Sequence, residues 1–281
     1  MKLLIAGGFL GKSATDQMRL QPSPEVILAE EMALAGYDVA RSGLHDWKML
    51  LGRRFDLVHV HHMSRYAVIA AMIGRPMVFT HHSSVYAERG VRHLAEGIVW
   101  RRAARIVCLS EAEELAKLAA YPFLRGRTVV IRNAVLPVTL EVETREWAEG
   151  MEFIVAQVGQ LIELKRVELG IRALKELPGN FVLELSYHNN AEEPHLRRLA
   201  NQLGLADRVR FLGQASGEEL ARRYARAHCL LLTSRSECSP SVIAEALMSG
   251  LPVVASDVAG VPALVGDAGV CIPTRSGGYA A

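Results

Sequence analysis

The sequence predicts two doubly wound α/β domains in succession, on three observations. The chain has 281 residues, against a prior of roughly 150 per domain. Short apolar strands alternate with helices through both halves, the pattern of parallel sheets covered on both faces. The charge divides: residues 1–140 hold 18 Lys+Arg against 12 Asp+Glu, and residues 141–281 hold 14 against 18. The change falls at residues 137–152, where Glu141, Glu143, Glu146, Glu149 and Glu152 make an acidic stretch that reads as an inter-domain linker. The expected domains are residues 1–140 and 151–281.

In the first half, residues 3–6 are a buried strand that Gly7-Gly8 ends. Ser23 is placed as the N-cap and Pro24 as the first residue of a helix that stops at Gly36. Strands follow at 38–40, 57–61, 77–80, 106–109 and 129–131, and helices at 67–73, 91–102 and 111–119. In the second half strands fit 153–158, 182–186, 209–211, 229–232 and 253–255. Helices fit 167–177, 193–203, 218–225 and 241–248. Ligand is expected at the carboxyl ends of the strands of such sheets.

Composition excludes several classes. Half the residues are hydrophobic and 22% are charged, a globular balance with ample material for two cores. A net charge of +2 lacks the basicity of a nucleic-acid binder. No apolar run approaches a membrane span of about 18 residues, and the apolar opening is too short for a signal-peptide core. Cys108, Cys229, Cys238 and Cys271 are scattered without a CxxC pair, which favours a reducing, cytoplasmic setting.

The loop Ala6-Gly7-Gly8-Phe9-Leu10-Gly11-Lys12-Ser13 nearly matches a phosphate-binding P-loop and half-matches a dinucleotide fingerprint. Both need a helix running on from the loop; here Pro22 and Pro24 break the segment. A glycine turn that lets another group approach closely is the plainer reading. Five of ten histidines (His59, His61, His62, His81 and His82) cluster near two strand ends. No acidic or cysteine partner shares a ligand spacing with them, so no metal site is expected. Arg89, Arg92, His93, Arg101, Arg102 and Arg105 flank Ile98-Val99-Trp100. Such a helix could rest on anionic lipid at the inner face of a membrane, but a solvated face with core-facing apolar residues is preferred.

Residues 233–262 carry the chemistry. Glu237 lies in a loop after a strand, Ser239-Pro240 opens a helix, and Glu245 sits on that helix. Amides around Pro240, Ser241 and Val242 would face an anion, aided by the helix dipole. A carboxylate one turn on can accept hydrogen bonds from a diol such as ribose. A second carboxylate in the loop can hold sugar hydroxyls or orient a basic group. Two glutamates at this spacing also fit a plain surface helix.

The surrounding residues decide between these. The segment resembles the E-x7-E region of retaining family-4 glycosyltransferases, which have the GT-B fold of two Rossmann-like domains. The likeness continues through Leu251 to Asp257 and Gly260-Val261-Pro262. It recurs in Val158-Gly159-Gln160-Leu161 with Lys165, in residues 209–213, and more loosely in the first half at Gly7-Gly8, residues 56–61, Thr80-His81-His82 and Asn133. The resemblance implies a nucleoside-diphosphate sugar as donor and no required metal or other cofactor. Glu245 would bind ribose, Glu237 would contact the donor sugar or its phosphate, and Lys165 would neutralise the diphosphate. Gly8 and Gly11 would bring amides near the same diphosphate, and His82 would face the transferred sugar in an inter-domain cleft. The acceptor would be a glycan, a lipid-linked or a small molecule.

The sequence departs from that pattern in places. Gln160 stands where the family usually has Arg, with Arg166 as a candidate replacement cation. Ser186-Tyr187-His188-Asn189-Asn190 replaces a G-x-G turn, and Ala259 and Ala263 replace a Gly and an acidic residue. The chain ends at Ala281, before the family's usual closing helices. Two other readings stay open here: a P-loop nucleotide-triphosphate hydrolase or kinase, and a non-catalytic sugar-nucleotide binding protein.

Overall fold

A computed structural model describes residues 1–10, 23–52, 54–82, 91–135, 147–215 and 217–274. These form two compact units, the first ending at Val135 and the second following it. The expected linker lies mostly outside the described residues, as does Gly11.

The first unit runs β1 (Lys2–Gly7), α1 (Pro24–Leu34), β2 (Asp38–Gly43), α2 (Met49–Gly52), β3 (Leu57–His61), α3 (Arg65–Ile73), β4 (Met77–Thr80), α4 (Val91–Arg102), β5 (Arg105–Cys108), α5 (Glu111–Ala120) and β6 (Thr128–Val130). Its six strands are all parallel, in the order β2-β1-β3-β4-β5-β6. The order reverses between β1 and β3, so a crevice opens beyond their carboxyl ends. Leu4, Val58, Val60, Phe79, Trp100 and Ile106 fill the core. The central strands β1, β3 and β4 are the most buried because both faces are covered, whereas β2 at one edge carries Asp38, Arg41 and Ser42.

The second unit runs β7 (Phe153–Gly159), α6 (Val167–Lys175), β8 (Phe181–Tyr187), α7 (Glu193–Gln202), β9 (Val209–Gly213), α8 (Gly217–Arg226), β10 (Cys229–Leu232), α9 (Ser241–Met248), β11 (Val253–Asp257), α10 (Val261–Val265) and β12 (Gly269–Pro273). Its sheet is also wholly parallel, in the order β12-β11-β10-β7-β8-β9. Two cores form, one around Tyr224, Leu230, Ile243 and Val253, the other around Ile171, Leu183, Leu185 and Leu199. Here the strand order reverses between β7 and β10, and the crevice opens there.

Several local expectations change. Ser23 stands at the N-cap of α1, but its hydroxyl makes no capping hydrogen bond. Its carbonyl accepts from Val26 and Ile27 instead. The elements α2, α10 and β12 were not expected. In β12, Val270 and Ile272 are exposed, so an edge strand shows no buried apolar run. In α4, Val99 and Trp100 are buried while Leu94 and Ile98 are exposed, and the Arg101 guanidinium lies 5.0 Å over the Phe123 ring. Among the described residues no helix is long and apolar enough to cross a membrane. None of the four cysteines forms a disulfide.

Candidate functional site

At the crevice of the second unit β7 ends on Gly159, and a short 3-10 turn (Glu163–Lys165) follows. Arg166 then takes a left-handed conformation (φ 48°) as N-cap of α6. This turn is braced from beneath. Gln157 Nε2 donates to Thr233 Oγ1 at 2.8 Å, and Thr233 Oγ1 donates to the Lys165 carbonyl at 2.9 Å. Gln157 and Thr233 are buried, so the bond between them is shielded from competing water.

The Lys165 ammonium meets Glu237 Oε1 at 2.5 Å, and Ser234 Oγ donates to the same oxygen at 2.6 Å. The lysine is therefore held at the crevice by a carboxylate that is itself fixed. Pro240 caps α9, and the first amides of that helix have no intrahelical acceptor. Glu245 projects from the next turn with only 2% of its surface exposed. The Tyr224 hydroxyl donates to Glu245 Oε2 at 3.1 Å. Burial, then the Glu245 charge, push the Tyr224 hydroxyl well above its ordinary range, so it stays a donor.

A cavity of about 280 Å³ collects these groups, with Lys165, Glu237, Pro240, Ser241, Val242 and Glu245 in its wall. Six residues singled out in the sequence thus line one space. Arg166, the candidate replacement cation, follows Lys165 but is not among the residues lining the cavity. Its left-handed backbone starts α6. The Gln160 amide contacts His188 Nε2 at 3.1 Å, and both line the cavity. Two departures from the family pattern are therefore neighbours on adjacent strand ends.

The remaining predicted residues belong to the first unit. Gly8 follows β1, and a Cβ there would come within 3.7 Å of the His62 ring. At Gly7 a Cβ would lie 2.6 Å from Glu25 Cγ, so this glycine makes room for a buried carboxylate. Glu25 Oε1 accepts from the Phe9 amide at 3.2 Å and lies 3.7 Å from His62 Nε2. His82, after β4, contacts His61 Nδ1 at 2.9 Å. Burial alone would raise the Glu25 carboxyl, but the hydrogen bond from His62, a backbone bond and the charges of His62 and His82 bring it down to about 2. Burial lowers the His59 imidazole to about 4. His61 is lowered by burial and by the neighbouring His59, His82 and His62.

The first unit thus corrects one reading. The histidines do have an acidic partner: Glu25, His62 and His82 offer ligand atoms within 4.8 Å of one another. Sequence spacing hid it because Glu25 comes from the first turn of α1, 37 residues before His62. Gln157, Tyr224, Thr233 and Ser234 were missed as support for the second-unit cavity. Tyr224 carried a faint signal as the aromatic on the apolar face of α8, one turn after Leu220.

The family described as "Glycosyl transferases group 1" matches residues 141–277, and "Glycosyltransferase Family 4" matches residues 28–137. A D-inositol 3-phosphate glycosyltransferase of Mycolicibacterium smegmatis is 30% identical over 236 residues, covering 76% of this chain and 54% of that protein. Its counterpart in Mycobacteroides abscessus is 41% identical over 129 residues, 44% of this chain and 29% of its own length. The chain thus spans about half the length of the first of these relatives. Sucrose-phosphate synthase of Thermosynechococcus elongatus superimposes with a TM-score of 0.74 at 19% identity, over 98% of this chain and 86% of that one. Anabaena Alr3699/HepE in complex with UDP and glucose gives 0.71 at 20% identity, over 99% and 86%. Both show the same fold of two Rossmann-like domains.

Proposed function

The chain belongs to the family-4 glycosyltransferases, and from that premise we propose that it is a retaining glycosyltransferase using a nucleoside-diphosphate sugar. The observation that carries the reading is the second-unit cavity, where a clamped cation, a helix N-terminus and a buried carboxylate converge. Breaking a sugar–diphosphate bond develops negative charge on the departing phosphate, and preorganised cations and amides stabilise that charge. Lys165 supplies the cation and the amides of Ser241 and Val242 the dipole. Glu245 accepts hydrogen bonds from the ribose hydroxyls, its rotamer set by Tyr224. Glu237 orients Lys165 as it contacts the donor.

UDP is the first nucleotide to test, since HepE carries it. An inositol phosphate is the first acceptor, since curated relatives are named for one. The P-loop reading gains no support from the family matches. The experiment is incubation with UDP-, GDP- and ADP-sugars and inositol phosphate, read as diphosphate released and as product anomer by NMR. Release with retained configuration, lost in Lys165→Ala, supports the reading. An inverted anomer contradicts retention. Diphosphate binding without release across a broad acceptor panel contradicts turnover and favours a binding protein.

A further inference from the structure

We propose that Glu25, His62 and His82 form a binding site for a divalent transition-metal ion of the zinc class within the first unit. Three different elements converge to build it. Glu25 comes from the first turn of α1, His62 directly follows β3, and His82 lies just beyond β4. The two histidines stand at the carboxyl ends of the adjacent strands β3 and β4, and Glu25 accepts from the Phe9 amide just beyond β1. Their ligand atoms lie within 4.8 Å of one another.

The distances suit one ion. Two ligands about 2.1 Å from a tetrahedral ion lie about 3.4 Å apart. The Glu25–His62 pair already stands at 3.7 Å. The site is also built rather than incidental. Gly7 gives up its side-chain space to Glu25 Cγ, and the Phe9 amide holds Oε1. The Glu25 side chain is 1% exposed and that of His62 is 34% exposed, so a buried anchor is paired with an open side through which an ion can enter. His61 contacts His82 from the adjacent strand end, the type of outer partner that fixes the ring of a ligating histidine.

The donor set selects the class of ion. Two imidazoles and one carboxylate suit zinc and its first-row neighbours. Calcium and magnesium prefer ligand sets made wholly of oxygen. Three protein ligands leave at least one position for water or a ligand oxygen. Bound there, the ion would fix His82 and hold the ends of β3 and β4 to the start of α1.

The test is equilibrium dialysis of the chelator-stripped full chain against Zn²⁺ and then Co²⁺, with bound metal quantified by atomic emission. Wild type is expected to hold one ion per chain. His62→Ala and Glu25→Gln should weaken binding at least about tenfold, since even outer-shell changes cost that much. His195→Ala, at an exposed histidine of the second unit, should leave it unchanged. Bound Co²⁺ should show the strong visible absorption of low coordination number in wild type and lose it in His62→Ala. The partly exposed His62 keeps the test decisive even if Glu25→Gln does not fold. Equal binding by wild type and His62→Ala would overturn the proposal, as would loss of binding in His195→Ala alone.

Discussion

Replacing Tyr224 with Phe removes one hydroxyl from the second unit and nothing else. That hydroxyl is fully buried and donates to Glu245 Oε2 at 3.1 Å. Hydrogen bonds to charged groups contribute about 1.5–3 kcal/mol each. Near about 3 °C per kcal/mol for a unit of this size, Tm should fall by about 5–9 °C. The effect on ligand is smaller. Glu245 would have to be ordered on binding, at a cost of about 1 kcal/mol, or roughly fivefold in affinity. Thermal denaturation and calorimetric titration with UDP measure the two effects. A cycle with Glu245→Gln isolates the pair, with an expected coupling above about 0.5 kcal/mol. A Tyr224→Phe chain with unchanged Tm and unchanged affinity would refute the claim that this tyrosine sets the Glu245 carboxylate.

Three other outcomes follow from the same structure. Lys165→Ala should weaken diphosphate binding by about ten- to a hundredfold, the worth of one charge-assisted hydrogen bond, as titration with UDP would show. His59 is held neutral, with its imidazole lowered from 6.5 to about 4. Its contribution is complete above about pH 6.5 and is lost as pH falls through about 4, by at most about 3 kcal/mol. Urea unfolding at pH 7 and pH 4.5 should therefore show a smaller acid loss in His59→Gln, which can still bond to Thr80 as His59 does at 2.8 Å. Gly269→Ala should cost about 3 kcal/mol, measured by chemical denaturation. A Cβ there would collide with the Val253 carbonyl, and no side-chain movement can relieve a backbone clash.

Elements built around short apolar clusters with clear flanking breaks were legible from the order of residues. Strands β3, β4 and β10 and helices α4 and α9 fall at their expected bounds. The edge strand β12 was not legible, since Val270 and Ile272 face outward and only Gly269 marks its close packing. In the site, Lys165, Glu237 and Glu245 were legible through local motifs. Their supports were not. Thr233 reaches the Lys165 carbonyl across 68 residues, and Tyr224 reaches Glu245 across 21, separations set by the sheet order rather than by local spacing. Glu25 failed for the same reason. It reads as an ordinary first-turn acid until the fold brings it to His62.

On this reading the second-unit cavity binds a nucleoside diphosphate through Lys165, the start of α9 and Glu245. Calorimetric titration of UDP, GDP and ADP into wild type and Glu245→Ala is the decisive measurement. One diphosphate should be preferred, bound without added magnesium and weakened by the substitution. Equal binding by wild type and Glu245→Ala, or binding of none of the three, would contradict it.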